Sequence, residues 1–404
     1  MAELLVRIGG QDEALLRRAL GSADRPGLRL GPNRVVVDAH VASTTPVIKV
    51  VTRRAGIPFL IDPQTFLLQD RQHAAHPWVK LPFAEAAASS ARDLLRFERQ
   101  EQLVASCVDY QIDRGATAVI APYVHVENAQ SPWLDVQFGL WRQTRRYLDQ
   151  QSVRLPLVAV AAVGWRLLGL SAQPVMRMFL AALTRLSPDE VALAASKVHL
   201  GAHADERLVD MISVLEQLRH SEFPVLAWSQ GLLGEACVAA GALGYETGLG
   251  WRESCDLSAA MTTHRRPRAA DGFETRPVYL PAMKRGIPKA TLLELQQRHQ
   301  QLWRRTQCPD PDCCAVGSDI LGDAREHALY SRARDLRLLS QVARSSWQWN
   351  RLEQEATVGL ALAERINRAM DVTGGAEKIN TVALAAVRDV AGARRLHRRA
   401  QRIA

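Results

Sequence analysis

The sequence predicts an α/β fold, a (β/α)8 TIM-like barrel followed by a C-terminal zinc-binding helical appendage. Three observations predict it. Short apolar, β-branched runs alternate with helical stretches about eight times between Arg34 and Pro281, the pattern of a parallel sheet buried on both faces. Many of these runs change abruptly to Asp, His, Lys or Ser at their C-terminal ends, where a barrel has a polar mouth and can hold charge. Beyond them, three of the six cysteines fall within Cys308–Cys314, ahead of a histidine at His327.

Residues 1–33 read as a leading segment, with an amphipathic helix over Asp12–Leu20 and a Pro/Gly-rich turn through Asn33. The barrel is expected over residues 34–290. Arg34–Asp38 (RVVVD) is its expected first strand, followed by a helix entered at Thr44-Thr45-Pro46, and Phe59–Asp62 (FLID) is the second. An insertion with His73, His76 and Trp78 and a long helix ending near Arg114 precede the third run, Ala118–Pro122. Leu157–Val163, Val191–Lys197 and Val225–Trp228 supply the fourth to sixth strands, and Tyr245–Leu249 and Pro277–Pro281 the seventh and eighth. The eighth unit favours a closed barrel over an open doubly wound sheet, and no glycine-rich phosphate fingerprint follows the first strand. Residues 291–404 read as helices, with the loop 308–327 inserted among them.

Cys308, Cys313 and Cys314 sit in a Pro/Asp/Gly-rich loop, and His327 follows on the first turn of a predicted helix. Thiolates and a neutral imidazole suit tetrahedral zinc, which can staple a loop too poor in apolar residues to fold alone. Four protein ligands leave no open position, so such an ion is structural. The C-x4-C-C spacing is unusual, and a reduced loop without metal is the competing reading.

At 404 residues, 47% hydrophobic and 23% charged, the chain has the composition of a folded globular protein. Glu3, Arg7, Asp12 and Glu13 interrupt what would be the apolar part of a leader peptide, and no run reaches the ~18 apolar residues of a membrane span. A cytoplasmic, membrane-free protein is expected. Cys107, Cys237 and Cys255 lie in apolar or mixed segments with no disulfide-framework spacing, which fits a reducing compartment. The net charge of +9 and the arginine clusters at His264–Arg268, Arg304-Arg305 and Arg394–Arg399 point to a polyanionic partner, tRNA or DNA. An Arg-rich, Lys-poor composition without function accounts for the same charge.

The residues at the expected strand ends form the candidate site: Asp38, Asp62 and Gln64, His125 and Glu127, Lys197, then Ser229, Gln230 and Gly231. A carboxylate beside an amide, as in Asp62 and Gln64, suits the edge of a purine-like base, since the first accepts and the second both donates and accepts. Ser229 and Gln230 can do the same from the other side. Taken singly, each is equally well a helix cap or a solvated loop residue.

A barrel followed by a cysteine cluster and a His-bearing helix (HALYSRARDLRLL, His327–Leu339) resembles the tRNA-guanine transglycosylases and their relatives that insert 7-deazaguanine bases into DNA. GIPFLIDPQTF (Gly56–Phe66) is similar to that family's T-D-S-G-G-F-Q strand end, and SQGLLGE (Ser229–Glu235) to its G-G-L-A-V-G-E base-pocket loop. The coarse similarity covers about residues 34–370. It implies a glycosyltransferase performing base exchange, in which an aspartate attacks the ribose C1′, guanine leaves and a modified base takes its place. Asp62 is then catalytic, and Asp256, in Ser254-Cys255-Asp256, is the nearest counterpart of the family's nucleophile motif F-D-C-x-x-P-T-R, which has no clear match. Pro63-Gln64 replace the two glycines. Two other functions are open: a non-catalytic zinc-containing barrel subunit of a nucleic-acid-processing complex, alone or in an oligomer, and a barrel enzyme acting on a small nucleobase or phosphorylated substrate through Lys197.

Overall fold

The computed structural model describes residues 1–21, 31–70, 77–84, 89–262, 276–308, 310, 313–314, 320–322, 324–373 and 378–400. Eight parallel strands build the barrel: β1 (Glu3–Ile8), β2 (Arg34–Asp38), β3 (Phe59–Asp62), β4 (Val119–Ile120), β5 (Leu157–Gly164), β6 (Glu190–Ser196), β7 (Val225–Ala227) and β8 (Gly244–Thr247). They are hydrogen-bonded in the order β3-β2-β1-β8-β7-β6-β5-β4. The Thr117 backbone N–H donates to the Phe59 carbonyl at 2.8 Å beside the two ends of that order, which brings β3 and β4 together and nearly closes the ring.

The expected strand positions are corrected at both ends. The barrel opens on Glu3–Ile8, inside the leading segment, where β1 pairs with both β2 and β8. Pro277–Pro281 is not a barrel strand, because β9 (Val278–Leu280) pairs antiparallel with β10 (Arg285–Ile287) in a separate two-stranded sheet. The cause at the first end is Arg7. A cation in ELLVRI reads as a surface residue, yet it is 7% exposed and lies inside the barrel, where carboxylates from three other strands surround it. At the other end β9 alternates as a strand should, with Tyr279 in the barrel core and Val278 and Leu280 in a second one, so local pattern cannot tell which sheet it joins.

The strands are short and small-residue rich. All eight residues of LVAVAAVG in β5 are buried, which suits a layer covered on both faces. Helices over Phe97–Asp113, Trp133–Gln150, Gln173–Leu186 and Ala204–His220 cover the outside of the ring. After β8 the chain departs from simple alternation. It makes the β9–β10 hairpin, the helices Lys289–Arg298 and Gln300–Thr306 and the cysteine loop before the helix Ala324–Ser340. That helix packs on β1 and touches the helices Glu13–Gly21 and Gly234–Ala239, so it fills the eighth helix position of the barrel. The smaller core of Val278, Leu280, Ile287, Leu292, Leu295, Trp303, Leu362 and Ile366 joins the inserted part to the helix Ser345–Thr373, with Cys308 and Cys314 packed against it. The helix Val382–Ala400 returns to the barrel, where Arg394 pairs with Glu216 of Ala204–His220. Of the basic clusters expected to meet a polyanion, His264–Arg268 lies outside the described residues.

Candidate active site at the barrel mouth and candidate metal centre

At the C-terminal rim, Arg7 of β1 is the hub. Its Nη1 donates to Asp38 Oδ1 at 2.6 Å, its Nη2 to Asp62 Oδ2 at 2.8 Å and its Nε to Glu246 Oε1 at 2.8 Å, while Trp228 offers a ring face 5.5 Å away. The four side chains come from β1, β2, β3 and β8, each at or near a strand end, so strand register assembles the cluster. Burial opposes the Arg7 charge, but Glu246, Asp62 and Asp38 raise its pKa well above the ordinary value. Burial likewise pushes Asp38 up, and Arg252 and Arg7 outweigh it, holding that carboxyl well below its usual range. Asp62 also accepts from the Tyr123 hydroxyl at 2.9 Å and from the Gln64 N–H at 3.0 Å, and only 1% of its surface is exposed.

Beside this hub a cleft of about 300 Å³ opens at the ends of β1, β2 and β8. Gly9 and Gly10 form one wall. Arg7, Asp38, His40, Trp251, Arg252 and Arg276 line the rest of it. The Gly9 N–H donates to Asp12 Oδ2 at 3.0 Å, and Asp12 Oδ1 receives Arg276 at 2.7 Å and Arg325 at 2.9 Å. Arg276 stacks on Trp251 at 4.5 Å, and Trp251 is 40% exposed, so a flat apolar face stands next to the cations. Arg252 pairs with Asp38 while half of its side chain stays exposed. Burial lowers the His40 pKa, which favours the neutral ring, the form able to accept a proton.

The loop after β8 crosses the mouth as a strap. It begins with a tight turn at Gly248, where a Cβ would lie 1.9 Å from the Trp251 carbonyl oxygen, so only glycine fits. The Cys255 carbonyl then accepts from the Lys197 N–H at 2.8 Å, and the Leu257 N–H donates to Ser196 Oγ at 3.1 Å, both at the end of β6. The helix Leu257–Thr262 ends against Thr65–Gln69, which follows β3. Beyond the strap lies a second group of titratable side chains. His125 is held down to about 4 by burial and then by Lys197, with Asp256 opposing, and its Nε2 is 3.4 Å from Glu127 Oε2. His199 is also lowered to about 4 by burial, against the pull of Asp256. Gln64, Lys197, Ser229 and Arg252 all have positive φ, between 51° and 64°, at the ends of β3, β6, β7 and β8. Ser152, Ser187 and Glu222, ahead of β5, β6 and β7, share this conformation, so it marks chain turns at both ends of the barrel.

Of the expected site residues, Asp38 reaches the cleft, while His125, Glu127 and Lys197 gather beyond the strap, near Asp256, which the strap itself carries. Asp62 is buried in the hub. Ser229 donates its N–H and hydroxyl to Glu246 Oε2 at 2.8 and 2.9 Å, and Gln230 Nε2 donates to the Ala195 carbonyl at 2.8 Å. The Gly231 carbonyl accepts from buried Arg332 at 2.9 Å, and a Cβ there would meet Thr247 Oγ1 at 2.2 Å. These three therefore hold the rim together, and Gln64 keeps its Oε1 buried without a hydrogen-bond partner. Sequence reading missed Arg7, Gly9, Gly10, Trp251, Arg252 and Arg276. The signal present was a Gly-Gly pair directly after an apolar run.

The Cys/His set is brought together. The ligand atoms of Cys308, Cys313, Cys314 and His327 all lie within 4.8 Å of one another. Cys313 Sγ and Cys314 Sγ are 3.3 and 3.4 Å from His327 Nδ1 and 3.9 Å apart, so the adjacent cysteines do converge. A tetrahedron with metal–sulfur arms of ~2.3 Å and a metal–nitrogen arm of ~2.0 Å has edges of about 3.5 to 3.8 Å, close to this arrangement. His327 Nε2 lies 3.0 Å from the Tyr279 carbonyl, which can only accept, so the proton sits on Nε2 and the Nδ1 lone pair faces the sulfurs. Arg334 ties the loop down through Asp310 at 2.8 Å. This group could hold a metal ion.

No family model matches the sequence, and no curated protein matches it. Among solved structures, one similar chain is a candidate phosphonomutase from Burkholderia cenocepacia J2315, at 12% identity and a TM-score of 0.34, covering 61% of this chain and 86% of that one. A likeness so distant carries nothing about activity. The base exchange on tRNA or DNA implied by the resemblance is corrected by the geometry of the site. In the site itself, Asp62 is locked between Arg7 and Tyr123 with no exposed face to attack a ribose, and Asp256 Oδ1 caps the helix Leu257–Thr262 by accepting from the Ala259 N–H at 2.9 Å.

Proposed function

We propose that the chain is a (β/α)8 barrel enzyme acting on a small phosphorylated substrate bound in the cleft at the ends of β1, β2 and β8. The observation that carries this reading is the convergence of Arg7, Arg252 and Arg276 with the Gly9-Gly10 backbone on one cleft of about 300 Å³. Guanidinium groups bind phosphate oxygens in pairs, and a glycine pair lets an anion approach the main chain. Trp251 offers a platform for a ring on the same substrate. His40 is the proton-transfer group, because it is neutral and lines the cleft beside ionised Asp38.

Calorimetric titration with a panel of phosphate monoesters tests the reading. Arg252→Ala and Arg276→Ala should each weaken the binding of any monoester that binds by about tenfold or more, since a charged hydrogen bond is worth ~1.5–3 kcal/mol. His40→Asn should leave binding in place and remove turnover. Unchanged affinity in both arginine variants would sink the proposal.

The metal of the Cys/Cys/Cys/His set is zinc in this reading, with a structural role. Soft thiolates favour it, the four donors match its tetrahedral preference, and the set leaves no position for substrate. Metal analysis of the purified protein should give one zinc per chain.

A further inference from the structure

We infer that the appendage carries a second anion site, built for an oligophosphate and separate from the barrel cleft. The helix Lys289–Arg298 is broken at His299, whose backbone turns to φ −133° and ψ 57° before the helix Gln300–Thr306 resumes. The break leaves a hollow of about 540 Å³ against the helix Ser345–Thr373, lined by Arg298, His299, Gln300, Leu302, Arg365 and Arg368 among others. No carboxylate lines it among the described residues. That separates it from the barrel mouth, where Arg7, Arg252 and Arg276 each meet an acid. Arg365 and Arg368 stand three residues apart on one helix face. Arg365 has no ion pair among the described residues, and Arg368 reaches only the Glu364 carbonyl, at 3.4 Å. Arg298 has a distant partner in Glu294 at 3.7 Å and is 61% exposed.

Two physical arguments identify the ligand. Three guanidinium groups gathered round one hollow repel each other, and a multiply charged anion turns that repulsion into attraction. His299 Nε2 is also enclosed by protein without a hydrogen-bond partner, so the helix break leaves an unsatisfied polar group beside the hollow. One open hollow with its arginines gathered at a single place, and glutamines and a leucine on its wall, fits a compact chain of phosphates. A nucleic-acid backbone would call for cations spread along a track.

The test uses the full chain and inorganic triphosphate in titration calorimetry. The expected result is binding that weakens at least tenfold in Arg365→Ala and in Arg368→Ala, is lost in the double charge reversal Arg365→Glu/Arg368→Glu, and survives Arg276→Ala. These arginines are exposed, so the variants should melt like the parent. Survival in Arg276→Ala separates this site from the barrel cleft, whose own failure would leave the result intact. Equal triphosphate affinity in parent and charge-reversed protein would overturn the inference. So would a duplex oligonucleotide that binds through these arginines when triphosphate does not bind.

Discussion

Arg7 shows how one residue can decide both the stability and the shape of a site. It is a cation inside an apolar ring, and it is tolerable there only because Asp38, Asp62 and Glu246 reach it from three different strands. Removing it strands three buried carboxylates, which is the costly way to break a buried pair. Arg7→Met should lower the unfolding free energy by about 3–5 kcal/mol, read from urea denaturation. A loss below 1 kcal/mol would mean that the hub is more hydrated than its burial indicates. Nothing local in ELLVRI marks this arginine as buried, because the residues that neutralise it lie 31, 55 and 239 positions away. The acids were more legible. Asp38 and Asp62 each end an apolar run, and that position alone placed them at the rim, although it did not reveal that Asp62 is already occupied.

Among the elements, the helix Ala324–Ser340 has two duties. It fills the eighth helix position of the barrel, and it presents His327 to the cysteines from one end and Arg332 to the rim from the middle. Arg332 is 1% exposed, donates to Gly231 and Glu253 and lies 4.2 Å over the Tyr279 ring. Glu253 in turn belongs to the strap. Any ion held by the Cys/His set is thus mechanically connected to the loop that crosses the mouth. Chelation, or Cys314→Ser, should release the loop first and raise amide exchange over Ala324–Ser340, while exchange in β5 and β6 stays slow because the barrel has its own core. Slow exchange throughout after the metal is stripped would show that packing alone holds the helix. The cysteines and the histidine were readable as a set because their chemistry is narrow. That the intervening helix closes the barrel was not, since helical periodicity says which face is buried and not what covers it.

At the scale of the whole molecule, the mouth gathers groups that burial keeps neutral. His125 and His199 sit near 4 in the folded protein against an ordinary value of 6.5. Between these values the unfolded chain takes up protons that the folded chain does not, so stability falls as pH drops through the window from 6.5 to 4. The loss is up to about 3 kcal/mol per histidine. Asp38, held low by its arginines, contributes stability that is lost only further into acid. The urea midpoint should therefore fall steadily from pH 7 to pH 4.5, and His125→Asn should flatten part of the slope. A midpoint independent of pH in that range would place both rings in water.

The sequence by itself determined the class of fold, the position of most barrel strands and the four residues able to hold a metal, because apolar periodicity and ligand chemistry are local properties. It could not determine where the ring begins, which sheet Val278–Leu280 joins, or which of the rim's polar residues face a cleft. Those depend on charge partners and strand neighbours far away in the chain. Only folding brings Arg7 to its three acids and Arg276 to Trp251, and the burial that follows gives each group its protonation state and its availability.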